Sequence, residues 1–457
     1  MRSNHLQIIG CCLLVPQLAW LNKAAAEELR HRGLIGVTLR DEYAKNGERG
    51  RSAGGSGIHV VAVMPNSAAA AANLQADDII IKIGPDPTPN LAVGLKWLRK
   101  YFAGDEVELT IVRAGKEKTF TVTLRARPKE KWDGFEVIYD QAGTTDQRVR
   151  TLVTRPPAPG KYPAILFIQS LSPASIELAF PMPYPLRSVV DGFTKEGFVF
   201  MRADRLGTGD SDGLSVRDTT VKMDIATFRS ALAKLRTYEF VDPRKVFILA
   251  FSSGGAIAPI VARKHGVKGV ITFGTMARPW IVQAVEMMRR RWTFELLPED
   301  EMVANTRALK NFLRQCFVKN KSLPEVFAEH PDLAEFVRKF NVVSDDRDVF
   351  GMSLSFGRQL MDLRIENEWA KVDAPVLAIW GKSDFIASRK DSQLVIEAVN
   401  RSHSGNGTFV ALPGTCHSCC KAEDQEESFL AGAGDFNPVV VKTVADWIRQ
   451  QIKNDDS

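Results

Sequence analysis

Cysteine is scarce in this chain. There are six, and Cys11 and Cys12 sit close to the start, which leaves Cys316, Cys416, Cys419 and Cys420 for the rest. That density excludes a disulfide-stapled scaffold, although one local bridge is compatible with an exported protein. Cys416, Cys419 and Cys420 crowd around His417, but no second Cys/His pair stands at a suitable spacing, so no metal is expected. No apolar run reaches the roughly 20 residues that a membrane-spanning helix needs, so no transmembrane span is expected. Dense basic stretches with interleaved aromatics are also missing, and the net charge is only +6, which argues against nucleic acid as a partner.

What is present is an ordinary globular composition, 45% apolar and 25% charged, over 457 residues, enough for two domains. Arg2, an apolar stretch from Leu6 to Leu21 and then Ala24-Ala25-Ala26 have the three parts of a secretory signal. Residues 1–26 are therefore read as a cleaved leader, and the mature protein is expected to be exported (periplasmic or secreted).

Residues 30–126 read as a small β-rich domain. Short apolar runs at Leu34–Leu39, Ile58–Val63, Asp78–Ile83, Val107–Val112 and Thr119–Leu124 alternate with turn signals. One helix is expected over Leu91–Tyr101. Arg32-Gly33-Leu34-Ile35-Gly36-Val37, then Gly57-Ile58 through Val63-x-Pro65-x-Ser67-Ala68-Ala69, then Leu74-x-x-x-Asp78-Ile79-Ile80, together resemble a PDZ domain of the kind attached to bacterial proteases. The pattern departs at Asn73, Ala76 and Asp77, and again at Gly84-Pro85. The resemblance implies a groove where a peptide adds as a strand, with its C-terminal carboxylate at Gly33, Leu34, Ile35 and Gly36.

Residues 126–135 look like a short polar linker. Strands then alternate with helices over 135–455, which implies a mainly parallel sheet covered on both faces. The alternation breaks over about 276–370, where only helical patterns occur; that stretch is read as a cap over an active site, rich in Phe, Met and Leu.

Val246 to Gly255 carries the chemistry. An apolar run ends in Ala250-Phe251-Ser252-Ser253-Gly254 and an Ala-rich helical pattern follows. Strand, tight turn and helix expose a serine hydroxyl, and positions two away must be small. Ser252 fits as nucleophile; Ser253 would place Phe251 where a small residue is needed. A serine needs a base, and the base needs an orienting carboxylate. His5 lies in the leader, His31 and His59 in the first domain, His330 in the cap and His403 in a polar loop, while His265 suits a helix C-terminus. His417 follows a strand near the C-terminus, where the order Ser…Asp…His puts the base. Asp384 follows the strand Val376–Trp380 and is the matching acid. The oxyanion hole is expected from the N–H groups of Ser253 and Leu171, with Ser170 as the alternative second donor.

These features resemble the α/β-hydrolase fold. Arg202 to Gly213, with Gly207-Thr208-Gly209, matches a loop of that fold; its glycine spacing is wrong for a nucleotide, and no cofactor is expected. The expected architecture is an α/β-hydrolase sheet with a helical cap, preceded by a PDZ-like domain. The expected function is Ser-His-Asp hydrolysis of an ester or thioester, with peptide or protein recruitment by the PDZ-like module. A serine peptidase acting on presented chain ends, or a non-catalytic peptide-binding scaffold, is the alternative.

Overall fold

The computed structural model describes residues 28–41, 57–144, 146–172, 174–180, 185–213, 215–345, 348–432 and 434–454. The leader read at 1–26 lies outside them.

The N-terminal unit is an antiparallel sheet in the order Val37–Asp41, Ile58–Val63, Ile79–Ile83, Glu106–Arg113 and Lys116–Thr123, with Asp86–Pro87 added beside the third strand. Ile58, Val60, Ile80, Leu109, Ile111 and Val122 are inside it because alternate residues of each strand face one way. The helix runs Leu91–Leu98, capped by the Asn90 side chain. It ends three residues earlier than its sequence pattern suggests, at Arg99. The departures at Asn73 and Asp77 are explained by backbone shape. Both take left-handed φ, 60° and 68°, and Asn and Asp tolerate that region better than most residues.

The larger unit is built on an eight-stranded sheet. Its order is Gly407–Leu412, Val376–Gly381, Gly269–Phe273, Val241–Phe251, Tyr162–Ile168, Val199–Ala203, Gln147–Thr154 and Val137–Thr144. The first six are parallel and the last two antiparallel. Apart from the Asp242–Lys245 start of Val241–Phe251, the four central strands are apolar but for the buried Thr272 and Arg202, because both faces are covered. One face packs against helices Val221–Leu235 and Gly254–Ala262, the other against Leu186–Lys195 and Val439–Lys453. The stretch between Gly269–Phe273 and Val376–Gly381 is not helical alone: Val343–Asp345, Asp348–Val349 and Met352–Ser353 form a small antiparallel sheet among its helices.

Residues 126–135 are more than a polar linker. Glu130 is 7% exposed and pairs with the buried Arg202 guanidinium at 2.8 and 2.9 Å. It also accepts from the Leu178 N–H and the Trp132 indole. Burial pushes the Glu130 carboxyl up, but the Arg202 charge and these hydrogen bonds outweigh it and hold the group below its usual range. Glu130→Ala would leave Arg202 buried and uncompensated. We expect about 3–5 kcal/mol of lost stability, seen as an unfolding midpoint at lower denaturant. Because the folded-state pKa is depressed, the stabilisation from Glu130 is present at neutral pH and lost as pH falls through that pKa. A wild-type midpoint in the Glu130→Ala variant would contradict this.

The two units meet at the loop after Val199–Ala203. The Arg99 guanidinium donates to the carbonyls of Gly209, Ser211 and Gly213 at 2.9–3.3 Å. Asp210 accepts from the Arg32 N–H at 2.8 Å and lies 3.0 Å from His31 Nδ1. Beneath them the buried Arg150 joins Asp204, Glu177 and Asp210.

Candidate active site

Four parallel strands end on the same edge of the large sheet, and each leads into one segment singled out in the sequence. Tyr162–Ile168 leads to Ser170 and Leu171, Val241–Phe251 to Ser252, Val376–Gly381 to Asp384, and Gly407–Leu412 to His417. Carboxyl ends of adjacent parallel strands are where open α/β sheets gather their ligand groups.

Ser252 has φ 51°, a left-handed conformation that a non-glycine residue adopts only when its surroundings impose it. Its N–H donates to the Phe273 carbonyl at 2.9 Å, which pins the turn to the neighbouring strand. Gly254 starts the following helix, and a Cβ there would lie 2.4 Å from the Ile168 carbonyl oxygen. Ala250, where the usual motif has glycine, turns its methyl into the core. Ser253 has φ −61° and opens the helix, so the strained apex is Ser252.

Asp384 is fully buried and its Oδ2 lies 2.7 Å from His417 Nδ1. Its Oδ1 accepts from the N–H groups of Ile386 and Ala387, both at 2.8 Å, so the carboxylate cannot rotate freely. Gly274 packs against this pair; a Cβ there would lie 2.9 Å from His417 Nδ1 and 3.0 Å from Asp384 Oδ2. Burial disfavours the imidazolium, but the Asp384 charge and hydrogen bond overcome it and raise the His417 pKa above its ordinary value. Ser252 and His417 line one cavity of about 300 Å³. Its other walls include Phe167, Leu171, Ile176, Leu186, Val189 and Phe251. Among the described residues no hydrogen bond joins the Ser252 hydroxyl to His417. Such contacts often tighten only when substrate is bound.

Leu171 N–H donates to Ser253 Oγ at 3.0 Å, and Ser170 Oγ lies 3.0 Å from the same oxygen. The Ser253 N–H stands at the N-terminus of helix Gly254–Ala262, where N–H groups have no intrahelical partner. Ser170, Leu171 and Ser253, the candidates for the oxyanion hole, are thus neighbours across the mouth of the Ser252 turn. Sequence reasoning missed what holds them. Buried Arg205 donates to the carbonyls of Gln169 and Ser170 at 2.9 and 2.8 Å and pairs with Asp224 at 2.7 Å. It acts as a brace for the loop. Its signal was its place two residues after the strand Val199–Ala203, in the Arg202–Gly213 match.

The cap reading of 276–370 meets a different arrangement. None of the described residues lining the Ser252 cavity comes from that stretch. Its large side chains, Trp292, Leu309, Phe312 and Phe317 among them, are buried in a core of their own helices and the sheet face below. The stretch meets the site on two sides: Asp348, Gly351, Ser353 and Phe356 share a smaller cavity with Leu171 and Ser172, and Arg290 donates to the carbonyls of Phe385 and Ile386 beside Asp384. Gly33, Leu34, Ile35 and Gly36 lie apart from the Ser252 cavity, on a cleft between the two units. Burial pushes the thiols of Cys419 and Cys420 upward, the latter to about 12, so both are protonated thiols beside His417. Among the described residues no group of His, Cys, Asp or Glu is arranged to hold a metal ion, and no helix is long and apolar enough to cross a membrane.

The family model described as serine aminopeptidase, S33, matches residues 186–424, and a PDZ domain model matches residues 33–124. No curated protein matches. An esterase of Pyrococcus furiosus is 14% identical with a TM-score of 0.43, covering 71% of this chain and 96% of that one. Est1E of Butyrivibrio proteoclasticus, with ferulic acid bound, is 17% identical with a TM-score of 0.44, covering 69% of this chain and 99% of that one. An acylaminoacyl peptidase of Pyrococcus horikoshii is 12% identical with a TM-score of 0.45, covering 76% of this chain and 47% of that one. With its model matched over more than half of the 457 residues, this chain belongs to the serine aminopeptidase S33 family, a serine hydrolase of α/β-hydrolase fold with a PDZ domain at its N-terminus.

Proposed function

We propose that the protein hydrolyses an ester or thioester with a small to medium apolar acyl group, by two-step acyl transfer. Ser252 attacks the carbonyl carbon, and His417 takes its proton. Asp384 orients the ring and stabilises the imidazolium. The N–H groups of Ser253 and Leu171 stabilise the tetrahedral oxyanion once Ser253 Oγ gives up the Leu171 N–H. His417 then returns the proton to the leaving oxygen or sulfur, and water repeats the cycle on the acyl-enzyme. The observation that carries this reading is the buried Asp384–His417 pair, at 2.7 Å, on the same apolar cavity as the strained Ser252.

The choice of ester over peptide rests on charge. A site for a peptide amino terminus needs an anion to pair with the ammonium, and none of the described residues lining the cavity is Asp or Glu. Apolar Phe167, Leu186 and Val189 suit an acyl chain instead. The PDZ domain recruits a peptide or protein, and the leader sends the protein out of the cytoplasm; mature protein from the exported fraction would then begin at Glu27.

A panel of nitrophenyl esters from acetate to octanoate, run beside aminoacyl nitroanilides, tests the reading. Ester turnover without anilide cleavage is expected. Faster cleavage of the anilides would replace it with the peptidase reading. No turnover and no labelling by a fluorophosphonate probe would favour a scaffold.

The pH profile gives a further check. His417 must be neutral to accept the Ser252 proton, and its pKa is raised. The acid limb of kcat/KM should therefore bend above the ordinary histidine value of about 6.5. An inflection well below that value would remove His417 as the base.

A further inference from the structure

Arg99 closes the helix Leu91–Leu98, with its own N–H bonded to the Leu95 carbonyl. Its guanidinium leaves the N-terminal unit altogether. Nη1 donates to the Gly209 carbonyl at 3.0 Å, Nη2 to those of Ser211 and Gly213 at 2.9 and 3.2 Å, and Nε to Gly213 at 3.3 Å. Among the described residues no other group donates to these three carbonyls. Burial, and then the Arg32 charge, lower the Arg99 pKa to about 10, so at neutral pH all five N–H donors are in place. A planar fork can hold three carbonyls of one loop at once; a lysine ammonium cannot hold them in the same rigid way.

The gripped loop begins at Arg205, the brace of the hole loop. It is wound tightly. The Gly207 N–H donates to the Asp212 carbonyl at 2.7 Å and the Ser211 N–H to that of Thr208 at 3.1 Å. A Cβ on Gly207 would lie 2.2 Å from the Ser215 carbonyl carbon, so the backbone there has no slack. Thr208, next to Gly209, gives both its N–H, at 3.1 Å, and its hydroxyl, at 2.9 Å, to the Arg205 carbonyl. The Arg205 guanidinium then reaches the Ser170 carbonyl at 2.8 Å. That carbonyl and the Leu171 N–H are the two ends of one planar peptide, so the bond to one end sets the direction of the other.

A second route leaves the same loop. Asp210 Oδ1 accepts the Arg32 N–H at 2.8 Å and Oδ2 lies 3.0 Å from His31 Nδ1, both on the N-terminal side. Oδ2 also accepts from Arg150 at 3.0 Å, and Arg150 donates to Ser175 Oγ at 2.9 Å, in the wall of the Ser252 cavity.

We infer that the PDZ domain is a working part of the hydrolase: Arg99 is a positioning residue that, through the 205–213 loop and Arg205, holds the Ser170–Leu171 peptide at the angle the developing oxyanion requires. This role is separate from any peptide the domain binds, and it rests on the acyl-transfer reading above. The hole acts on a charge that the bound ester does not yet carry. Loosening it should therefore slow turnover without weakening substrate binding.

Kinetics of full-chain variants test this, with every rate counted per serine labelled to completion by a fluorophosphonate. Removing a hole donor outright costs roughly 10²–10³-fold; in Arg99→Ala the donor is displaced and not removed, so kcat for nitrophenyl butyrate should fall about tenfold, with KM within about twofold. The inhibition constant of a trifluoromethyl ketone, whose adduct with serine places an oxyanion in the hole, should rise by the same factor as kcat/KM falls. A protein that is merely less stable would lose labelled sites and keep both constants per site. Arg99→Lys should lie between, about threefold down in kcat, and decides the matter by itself where Arg99→Ala does not fold. Lys100→Ala, whose ammonium pairs with Asp86 inside the N-terminal unit, should match the wild type. In an Arg205→Lys background, Arg99→Ala should cost less than about twofold more, since both act on one peptide. Wild-type kcat and ketone inhibition in the folded Arg99 variants would overturn the positioning role, and so would a raised KM with kcat unchanged. Fully additive losses in the double variant would overturn the route through Arg205. A wild type that cleaves nitroanilides but no ester would condemn the ester reading alone, and the same comparison then holds on the anilide. A wild type with neither turnover nor labelling would overturn both.

Discussion

Ser252→Ala is expected to lower kcat for ester hydrolysis by about 10⁶-fold, to the level left by the oxyanion hole and binding alone. The size follows from the chemistry: without the alcohol no acyl-enzyme forms, and His417 has no proton to move. Labelling by a fluorophosphonate should disappear in the same variant. Folding should survive, because the strained φ of 51° belongs to the turn and the small side chain makes no hydrogen bond that the loop depends on. Ser253→Ala is the informative neighbour. Ser253 has an ordinary helical conformation, and its hydroxyl occupies the Leu171 N–H. That variant should keep its labelling and most of its rate. A probe adduct on Ser253, or undiminished turnover in Ser252→Ala, would discard the assignment.

Asp384→Asn is expected to cost about 10⁴-fold in kcat with little change in stability. The surroundings dictate how the amide sits. Asp384 Oδ1 accepts two backbone N–H groups, from Ile386 and Ala387, so the asparagine carbonyl must take that place. The amide NH₂ then faces His417 Nδ1, which must accept instead of donate. The ring proton is forced onto Nε2, and the base loses the lone pair it offers to Ser252. A double variant, Ser252→Ala with Asp384→Asn, should be no slower than Ser252→Ala, since both act in one proton path. A loss under tenfold in Asp384→Asn, with the fold intact, would show that the 2.7 Å contact is structural and not part of the chemistry.

Some of this was readable from the chain because the determining forces are local. The turn at Ser252 is set by its immediate neighbours: a β-run that must end, a side chain that must leave the sheet, and a Gly254 that must pass close to Ile168. The choice of His417 and Asp384 used only chain order and the ends of apolar strands. The β-rich domain was legible for the same reason, since period-two apolar runs and turn residues are short-range signals. Even its departures at Asn73 and Asp77 proved to be residues that accept the same backbone shape as glycine.

Other readings failed where a residue's partner is distant in sequence. Glu130 looked like a solvated linker charge because Arg202 is 72 positions on. The sequence pattern did not single out Arg99, because the carbonyls it holds belong to the other unit. The Phe, Met and Leu side chains of 276–370 looked like a substrate lining because composition shows that they must be buried, not against what.

By itself, the order of residues determined the elements, the strained serine turn and the candidates for base and acid, because backbone sterics and apolar periodicity act over a few neighbours. Folding in three dimensions decided the rest: that Phe167, Leu171, Ile176, Leu186 and Val189 wall the Ser252 cavity, that Arg205 braces the Gln169–Ser170 loop, and that two units share a basic cleft. Those outcomes depend on which surfaces meet. Burial and charge pairing act through space, and separation along the chain carries almost no trace of them.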